Sequence, residues 1–242
     1  MLTATAAPGP GTNRLLAALP EAERQHWLTR LQLVELTRGQ VLHEPGGLVG
    51  HVHFPTTAIV SLLYVMENGA SAEIAMVGHE GLLGIPLFMG GGSTPSRAAV
   101  QNAGQAYRID GPFIKQRFDE SAAVMHLMLR YTQALITQMA QTAVCNRHHS
   151  LDQQLCRLLL LTLDRQQGME LAMTQELMAG LLGVRREGVT ESALKLQQAG
   201  LLRYARGRIT VLDRPGLERR TCECYAVVRN EYERLVPRPA GT

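Results

Sequence analysis

The 242-residue sequence predicts an α+β protein: an amino-terminal antiparallel β-roll of jelly-roll type, a long central helix, and a carboxy-terminal helical domain with a small hairpin. Three observations predict it. From Leu33 to Asp110, short apolar runs alternate with turn signals such as Pro45-Gly46-Gly47, Asn68-Gly69, Gly78-His79 and Gly90-Gly91-Gly92, the texture of many short antiparallel strands. From Phe113 to about Asn146 there is neither proline nor glycine, and apolar residues recur by threes and fours. From Thr174 to Ala199, two amphipathic stretches meet at Gly183, and a basic hairpin follows.

Taken in order, residues 1–12 are small and rich in Pro and Gly, and read as a flexible tail. Asn13 is placed to cap a short helix through Leu15, Leu16 and Leu19, which Pro20 stops; Glu21 to Leu31 adds a further helical turn or two. Strands are expected at Val41-Leu42, His51 to Phe54, Ile59 to Val65, Ala72 to Val77 and Arg97 to Gln101, with a hairpin at Asn68-Gly69. In the central helix, Val124, Met128, Tyr131, Leu135, Met139 and Thr142 make one apolar stripe. A helix roughly 35–50 Å long at about 1.5 Å per residue has more stripe than a small domain covers, so the stripe is expected to be a homodimer seam. Packing on the chain's own β-roll is the alternative. A leucine-dense helix, Leu151 to Leu163, follows, and Gln167-Gly168 breaks it. Leu201 to Leu212 reads as a hairpin turned at Arg206-Gly207. A last helix is expected from about Arg214 to Leu235, ended by Pro237 and Pro239. The chain thus divides into a tail (1–12), a β-roll (13–111), a central dimerisation helix (112–146) and a carboxy-terminal domain (147–242).

Composition is that of an ordinary globular protein: 45% hydrophobic, 19% charged, formal net charge +3. A charge so small does not itself imply a nucleic-acid partner, so its distribution decides. Four cysteines, Cys145, Cys156, Cys222 and Cys224, are too few and too clustered for a secreted disulfide framework. The start lacks the order of a signal peptide, and no apolar run is long enough for a membrane span, so a cytoplasmic location without membrane contact is expected.

The informative stretch is Thr174 to Leu196. Thr174 is an N-cap candidate, and Leu177, Leu181 and Leu182 give the first helix one apolar face. Gly183 makes the turn. The second helix is expected to bury Val189, Ala193, Leu194 and Leu196 and to show Arg185, Arg186, Glu187, Thr190, Glu191 and Lys195. Arginine grips guanine O6 and N7 with two parallel bonds, and glutamate accepts from the cytosine amino group. Arg and Glu side by side at a helix start therefore suit a G·C step. Arg203, Arg206 and Arg208 on the following hairpin suit phosphates. A solvated helix whose Arg and Glu pair with each other is the bland alternative.

This segment, Leu182-Gly183-Val184-Arg185-Arg186-Glu187-Gly188-Val189-Thr190, resembles the recognition-helix signature of the Crp/Fnr family of transcription regulators, named for the cyclic-AMP receptor protein and the fumarate-nitrate regulator. The resemblance extends from about Asn13 to Leu212. It implies a cyclic-nucleotide-binding-type β-roll, a long dimer helix, a winged helix-turn-helix, palindromic double-stranded DNA sites and contact with RNA polymerase. Arg186 and Glu187 then fall at base-reading positions, and Thr190 where the family often has Ser or Gly. Glu191 departs from the pattern, where arginine is common.

The stretches Gly78 to Phe88 and Pro95 to Val100 resemble the family's nucleotide domain, which places an effector pocket at Gly84, Ile85, Arg97 and Ala98. Arg97 is present, but Ala98 replaces the phosphate-binding serine, and the ribose-binding glutamate falls at Ile85 or Pro86. On the central helix the adenine contacts fall near Met139 and Ala140. Apolar replacements leave buried ligand groups unpaired at about 1–3 kcal/mol each, which argues against cyclic AMP and leaves the effector unknown. Arg97 either holds another anion or pairs with an acid such as Glu73 or Glu80. No cysteine precedes Cys145, which argues against the family's amino-terminal iron–sulfur cluster. Cys145, His148 and His149 share a helix face and Cys222 and Cys224 form a Cys-x-Cys, but no second matching pair completes a zinc signature, so no metal is expected. His43, His51, His53 and His79 read as surface or core histidines rather than haem ligands. Met125, Met128 and Met139 read as packing.

Two other function classes fit parts of the sequence. A cupin-like metal enzyme would use His51-Val52-His53, but no Glu follows at the usual spacing. A nucleotide-responsive regulatory protein without DNA binding would have the same β-roll. The non-enzymatic DNA reader accounts for the most residues.

Overall fold

The computed structural model describes residues 8–236, so the expected tail at 1–7 and the proline stops at Pro237 and Pro239 lie outside the described residues. Residues Pro10–Thr12, assigned to the tail, form a 3-10 turn. Asn13 then starts α1 (Arg14–Ala17): its Oδ1 accepts from the Leu15 and Leu16 amides. Its Nδ2 donates to Pro55 O at 2.9 Å and Gly81 O at 2.8 Å. One buried side chain thus caps a helix and ties it to the end of a strand and to a loop of the roll. Helix α2 (Glu21–Leu28) brings in Trp27, fully buried and edge-on to Phe54 and Phe113.

The roll consists of two antiparallel sheets. One contains β1 (Gln32–Leu36), β7 (Gly104–Asp110) and β3 (His51–Pro55), in the order β1-β7-β3. The other contains β2 (Val41–His43), β6 (Arg97–Asn102), β4 (Ile59–Val65) and β5 (Ser71–Val77), in the order β2-β6-β4-β5. The Asn68-Gly69 turn joins β4 to β5 with Gly69 at φ +83°, as the hairpin signal predicts. Val52, Phe54, Ile59, Val60, Val77, Val100 and Ile109 fill the space between the sheets.

The central helix is two helices. Asp110 caps α3 (Gly111–Glu120) through the Phe113 amide; Ser121 is extended, and α4 (Ala122–His148) then runs for 27 residues. Ser121, which lies near Glu23 of α2, has extended backbone at φ −117° and ψ 107° and makes no side-chain cap bond, so the two helices are separate. The expected seam is corrected by the packing. Val124, Met128, Tyr131, Leu135 and Thr142 are buried, and Met139 is half-buried, within the same chain. Tyr131 Oη donates to Leu82 O at 2.7 Å, and Gln138 Nε2 to Met76 O at 3.0 Å, fastening this stripe to the roll. Gly81 is needed here, since a Cβ on it would lie 2.5 Å from the Tyr131 ring. The face of α4 left open carries Leu129, Ile136 and Val144, exposed by 44, 57 and 48%.

Helix α5 (Leu151–Leu163) opens with a capping box of Ser150 and Gln153 and is buried from Gln154 to Leu163. A short β8 (Glu170–Leu171), which the sequence pattern did not signal, joins β10 (Arg208–Val211) and β9 (Leu202–Ala205) in a third sheet, order β8-β10-β9. Between them lie α6 (Gln175–Leu182) and α7 (Arg186–Gln198). The expected last helix is broken at Thr221-Cys222 into α8 (Arg214–Arg220) and α9 (Glu223–Leu235), and α9 packs along α4.

Candidate nucleic-acid interface

Helices α6 and α7 are set by three local devices. Thr174 Oγ1 accepts from the Leu177 amide at 3.1 Å, capping α6. Gly183 ends α6 at φ +67°, the left-handed conformation that a Cβ disfavours. Val189, Ala193 and Leu196 of α7 are buried, anchoring its inner face. Leu194, expected in that core, is instead 50% exposed and lies on the outer face.

That outer face starts with Arg185, the N-cap, followed by Arg186 and Glu187 in the first turn. All three are exposed, and none makes an ion pair or side-chain hydrogen bond among the described residues. The bland alternative, an Arg–Glu pair, is therefore not what the chain adopts. The polar groups around them are engaged. Thr190 Oγ1 donates to Gln175 Oε1 at 2.9 Å or to Arg186 O at 3.0 Å. Lys195 Nζ donates to Glu191 Oε1 at 2.9 Å, with Asp152 at 3.9 Å, and Glu191 raises the ammonium's pKa. The lysine thus neutralises the acid at the position where the resemblance leads one to expect arginine. Gln175, which propensity reasoning passed over, is placed by the α6 N-terminus against the recognition face; its signal in the sequence was only its position next to the cap.

The wing turns at Arg206-Gly207 with φ +49° and +76°, a two-residue hairpin turn with both centres left-handed. Arg206 and Arg203 are exposed on it. Arg208 is held by Glu170 of β8, so it is less free for a phosphate than the sequence suggested.

The effector pocket divides. Gly84 and Ile85 line a cavity of about 140 Å³ together with His43, Leu62, Ser96 and Met139. Arg97 and Ala98 do not: Ala98 is buried in β6, and Arg97 Nε donates to Glu44 at 2.8 Å on the outside of the roll. Glu44, not Glu73 or Glu80, is the partner. The cavity is largely apolar and smaller than the ~300–1,000 Å³ of typical small-molecule sites. His51 and His53 stand side by side and line a small cavity with His43, but among the described residues the three do not gather their ring nitrogens into a metal-binding cluster. Burial pushes the His53 pKa down to about 4, so it is neutral at pH 7.

The expected grouping of Cys145, His148 and His149 is also corrected. His148 is exposed, whereas His149 is turned inward beside Cys145, Cys222 and Cys224.

Residues 153–220, which hold α6, α7 and the wing, match the Crp-like helix-turn-helix domain. No curated protein matches the sequence. Solved structures resemble about four-fifths of the chain. A Crp/Fnr-family protein from Eubacterium rectale is 19% identical, covers 85% of this chain and 96% of its own, and gives a TM-score of 0.68. FixK2 from Bradyrhizobium japonicum is 14% identical, with 79% and 98% covered and a TM-score of 0.65. The c-di-GMP responsive global regulator CLP of Xanthomonas campestris is 16% identical, with 79% and 99% covered and a TM-score of 0.63. The chain has the Crp/Fnr-type fold: β-roll, long helix and Crp-like helix-turn-helix.

Proposed function

We propose that this chain, a Crp/Fnr-type transcription regulator by its helix-turn-helix domain and its fold, works in the cytoplasm as a homodimer on palindromic promoter DNA. The observation that carries this reading is the N-terminus of α7, where Arg185, Arg186 and Glu187 project unpaired from an otherwise bonded and anchored helix. In the major groove, Arg186 reads guanine and Glu187 the cytosine amino group, with Thr190 close to the neighbouring base. Thr174, Glu191 and Lys195 frame that face, and Arg206, with Arg208 when Glu170 releases it, supplies phosphate contacts that add affinity and register.

The dimer seam is the open face of α4. Met125, Leu129, Ile136, Ala140 and Val144 recur there at intervals of four and seven, one stripe along the helix, and a second copy of the same helix covers such a stripe. Two α7 helices then meet successive major-groove openings about 34–36 Å apart. The β-roll carries effector control, and the dimer on DNA meets RNA polymerase. No helix among the described residues is long and apolar enough to cross a membrane.

Selection of bound sequences from random DNA tests the reading. An inverted repeat is expected, and Arg186→Ala should lose about 1–3 kcal/mol of discrimination at one base pair per half-site, roughly 5- to 150-fold. Unchanged preference at every position in the variant removes Arg186 from the reading role.

A further inference from the structure

At the end of α4, four side chains from distant parts of the chain converge. Cys145 sits on its last turns and His149 at its C-cap; Cys222 and Cys224 lie at the α8–α9 junction. Their ligand atoms all lie within 4.8 Å of one another. Cys145 Sγ is 3.5 Å from Cys222 Sγ, and Cys224 Sγ is 3.6 Å from His149 Nδ1. The thiols are free and buried. A tetrahedron with zinc–sulfur bonds of about 2.3 Å and a zinc–nitrogen bond of about 2.0–2.1 Å has edges of about 3.5–3.8 Å. Two of the separations, 3.5 and 3.6 Å, already match those edges, and the others lie within 4.8 Å.

A second observation concerns the histidine. With Nδ1 toward the thiols, its other nitrogen, Nε2, lies 3.3 Å from Glu223 Oε2. A carboxylate behind the far nitrogen is how metal-bound imidazoles are oriented and made more basic. Gln154 Nε2 donates to His149 O at 2.9 Å, fixing the corner that turns the ring inward. Three cysteines that merely filled space would require neither the ring nor its carboxylate. Sequence spacing concealed the group because Cys-x-Cys and Cys-x-x-x-His match no common zinc signature on their own; the packing of α9 along α4 brings the halves together.

We propose that Cys145, His149, Cys222 and Cys224 form a Cys3His site for one thiophilic divalent cation, zinc, with Glu223 orienting the histidine. The donor atoms are too close together to surround an iron–sulfur cluster, whereas they fit one tetrahedral ion. Each thiol that binds gives its proton to solvent, and the ion bridges the end of α4 to the start of α9. The site lies next to the α4–α5 corner, so a bound ion fastens the carboxy-terminal helix at the point where the helix-turn-helix domain joins the central helix. The proposal does not rest on DNA recognition, since it is tested without DNA.

The test uses the full chain, purified under reducing, anaerobic conditions from zinc-supplemented cells. Elemental analysis should find about one zinc per chain, and cobalt exchanged into the site should show the intense visible bands of a tetrahedral, thiolate-rich centre. Cys145→Ser, Cys222→Ser and Cys224→Ser should each abolish that spectrum. Glu223→Gln should weaken zinc about 10- to 100-fold in chelator competition. Cys156→Ser and His148→Ala should leave metal content unchanged. Should a cysteine variant fail to fold, the cobalt spectrum and chelator competition of the wild-type chain decide alone. Folded wild-type chain with less than about a tenth of an equivalent of zinc and no cobalt spectrum overturns the proposal. So does quantitative recovery of a Cys145–Cys222 disulfide, which would assign the pair to redox chemistry.

Discussion

Single side chains here do work at a distance from the reading face, and two of them give sharp expectations. Asn13 satisfies two amides and two carbonyls from a fully buried position. An exposed cap is worth about 1 kcal/mol, but here Asn13→Ala leaves four buried groups without partners. A loss of at least about 2 kcal/mol is expected in urea denaturation; a loss under about 1 would mean that water replaces the amide. Glu73 is the opposite case, a buried acid poorly provided for. It lies in a small cavity between β5, α4, α5 and α6, and its Oε2 lacks a partner among the described residues. Burial pushes its pKa up to about 7, outweighing the Ser61 hydroxyl and the pull of Arg157 and Arg165. An unfolded carboxyl ionises near 4.5, so between that value and about 7 the folded chain keeps a proton that the unfolded chain has lost. Stability therefore falls as pH rises through this window and levels off above it. Glu73→Gln removes the titration while keeping the shape, and should gain on wild type by up to about 3 kcal/mol at pH 8, with little of that gain at pH 4.5. Denaturation midpoints at both pH values check it; a pH-independent difference would refute the linkage.

At the scale of elements, α4 is the instructive one. Its inner stripe holds Val124, Met128 and Tyr131, and its outer stripe Leu129 and Ile136. Leu129→Glu with Ile136→Glu should convert the proposed dimer to a folded monomer by light scattering, with the unfolding transition of the β-roll preserved. Met128→Ala should instead cost about 2–5 kcal/mol of folding stability. If the outer pair leaves the dimer intact, the seam lies elsewhere. The sequence made the long helix and its periodicity plain; of the six residues expected at the seam, five are buried and Met139 is half-buried against the chain's own roll, while Leu127, Ala134 and Gln138, buried on the same helix, are not among them. What periodicity does not encode is direction: a helix with two apolar stripes gives the same signal whichever one meets the chain's own roll. Deciding it took Tyr131 and Gln138, whose polar tips find carbonyls of the roll. The reading helix was more legible, because cap, glycine turn and charged face are local. Leu194 was misplaced there since α7 is too short for its inner arc to be fixed by spacing alone. The breaks at Ser121 and Thr221 were missed because no proline or glycine announces them and the groups they meet, Glu23 and Gln153, are distant in sequence. The cysteine cluster was missed for the same reason on a larger scale: its halves are 77 residues apart.

For the whole molecule, the question is how the helix-turn-helix domain is seated on the β-roll, since any effect of the roll on DNA has to pass through that seat. Arg165, just past α5, reaches into the roll and donates to Glu80 at 2.7 Å, and both side chains are almost wholly buried. The same guanidinium donates to Gln138 of α4 at 2.9 Å and to Leu161 O at 2.8 Å, so it joins roll, central helix and reader at one point. Desolvation alone would push the Glu80 pKa up, yet its carboxyl is held below the ordinary value, with the Arg165 charge the foremost opposing cause. Above, the turn at Gly183 rests against Ala72 of β5, where a Cβ on the glycine would come within 3.1 Å. Truncating one partner of a buried ion pair leaves the other charged and dry, which costs about 3–5 kcal/mol, whereas replacing both with apolar groups is often neutral. Arg165→Met and Glu80→Leu should therefore each destabilise strongly, and the double variant should recover most of that loss. The two single variants should also raise hydrogen exchange in β5 and α6 together, because the contact between them depends on the same anchor. Additive losses in the double variant, or faster exchange in α6 with β5 unchanged, would show that the pair is local to the roll and that the reader is held by its apolar contacts instead.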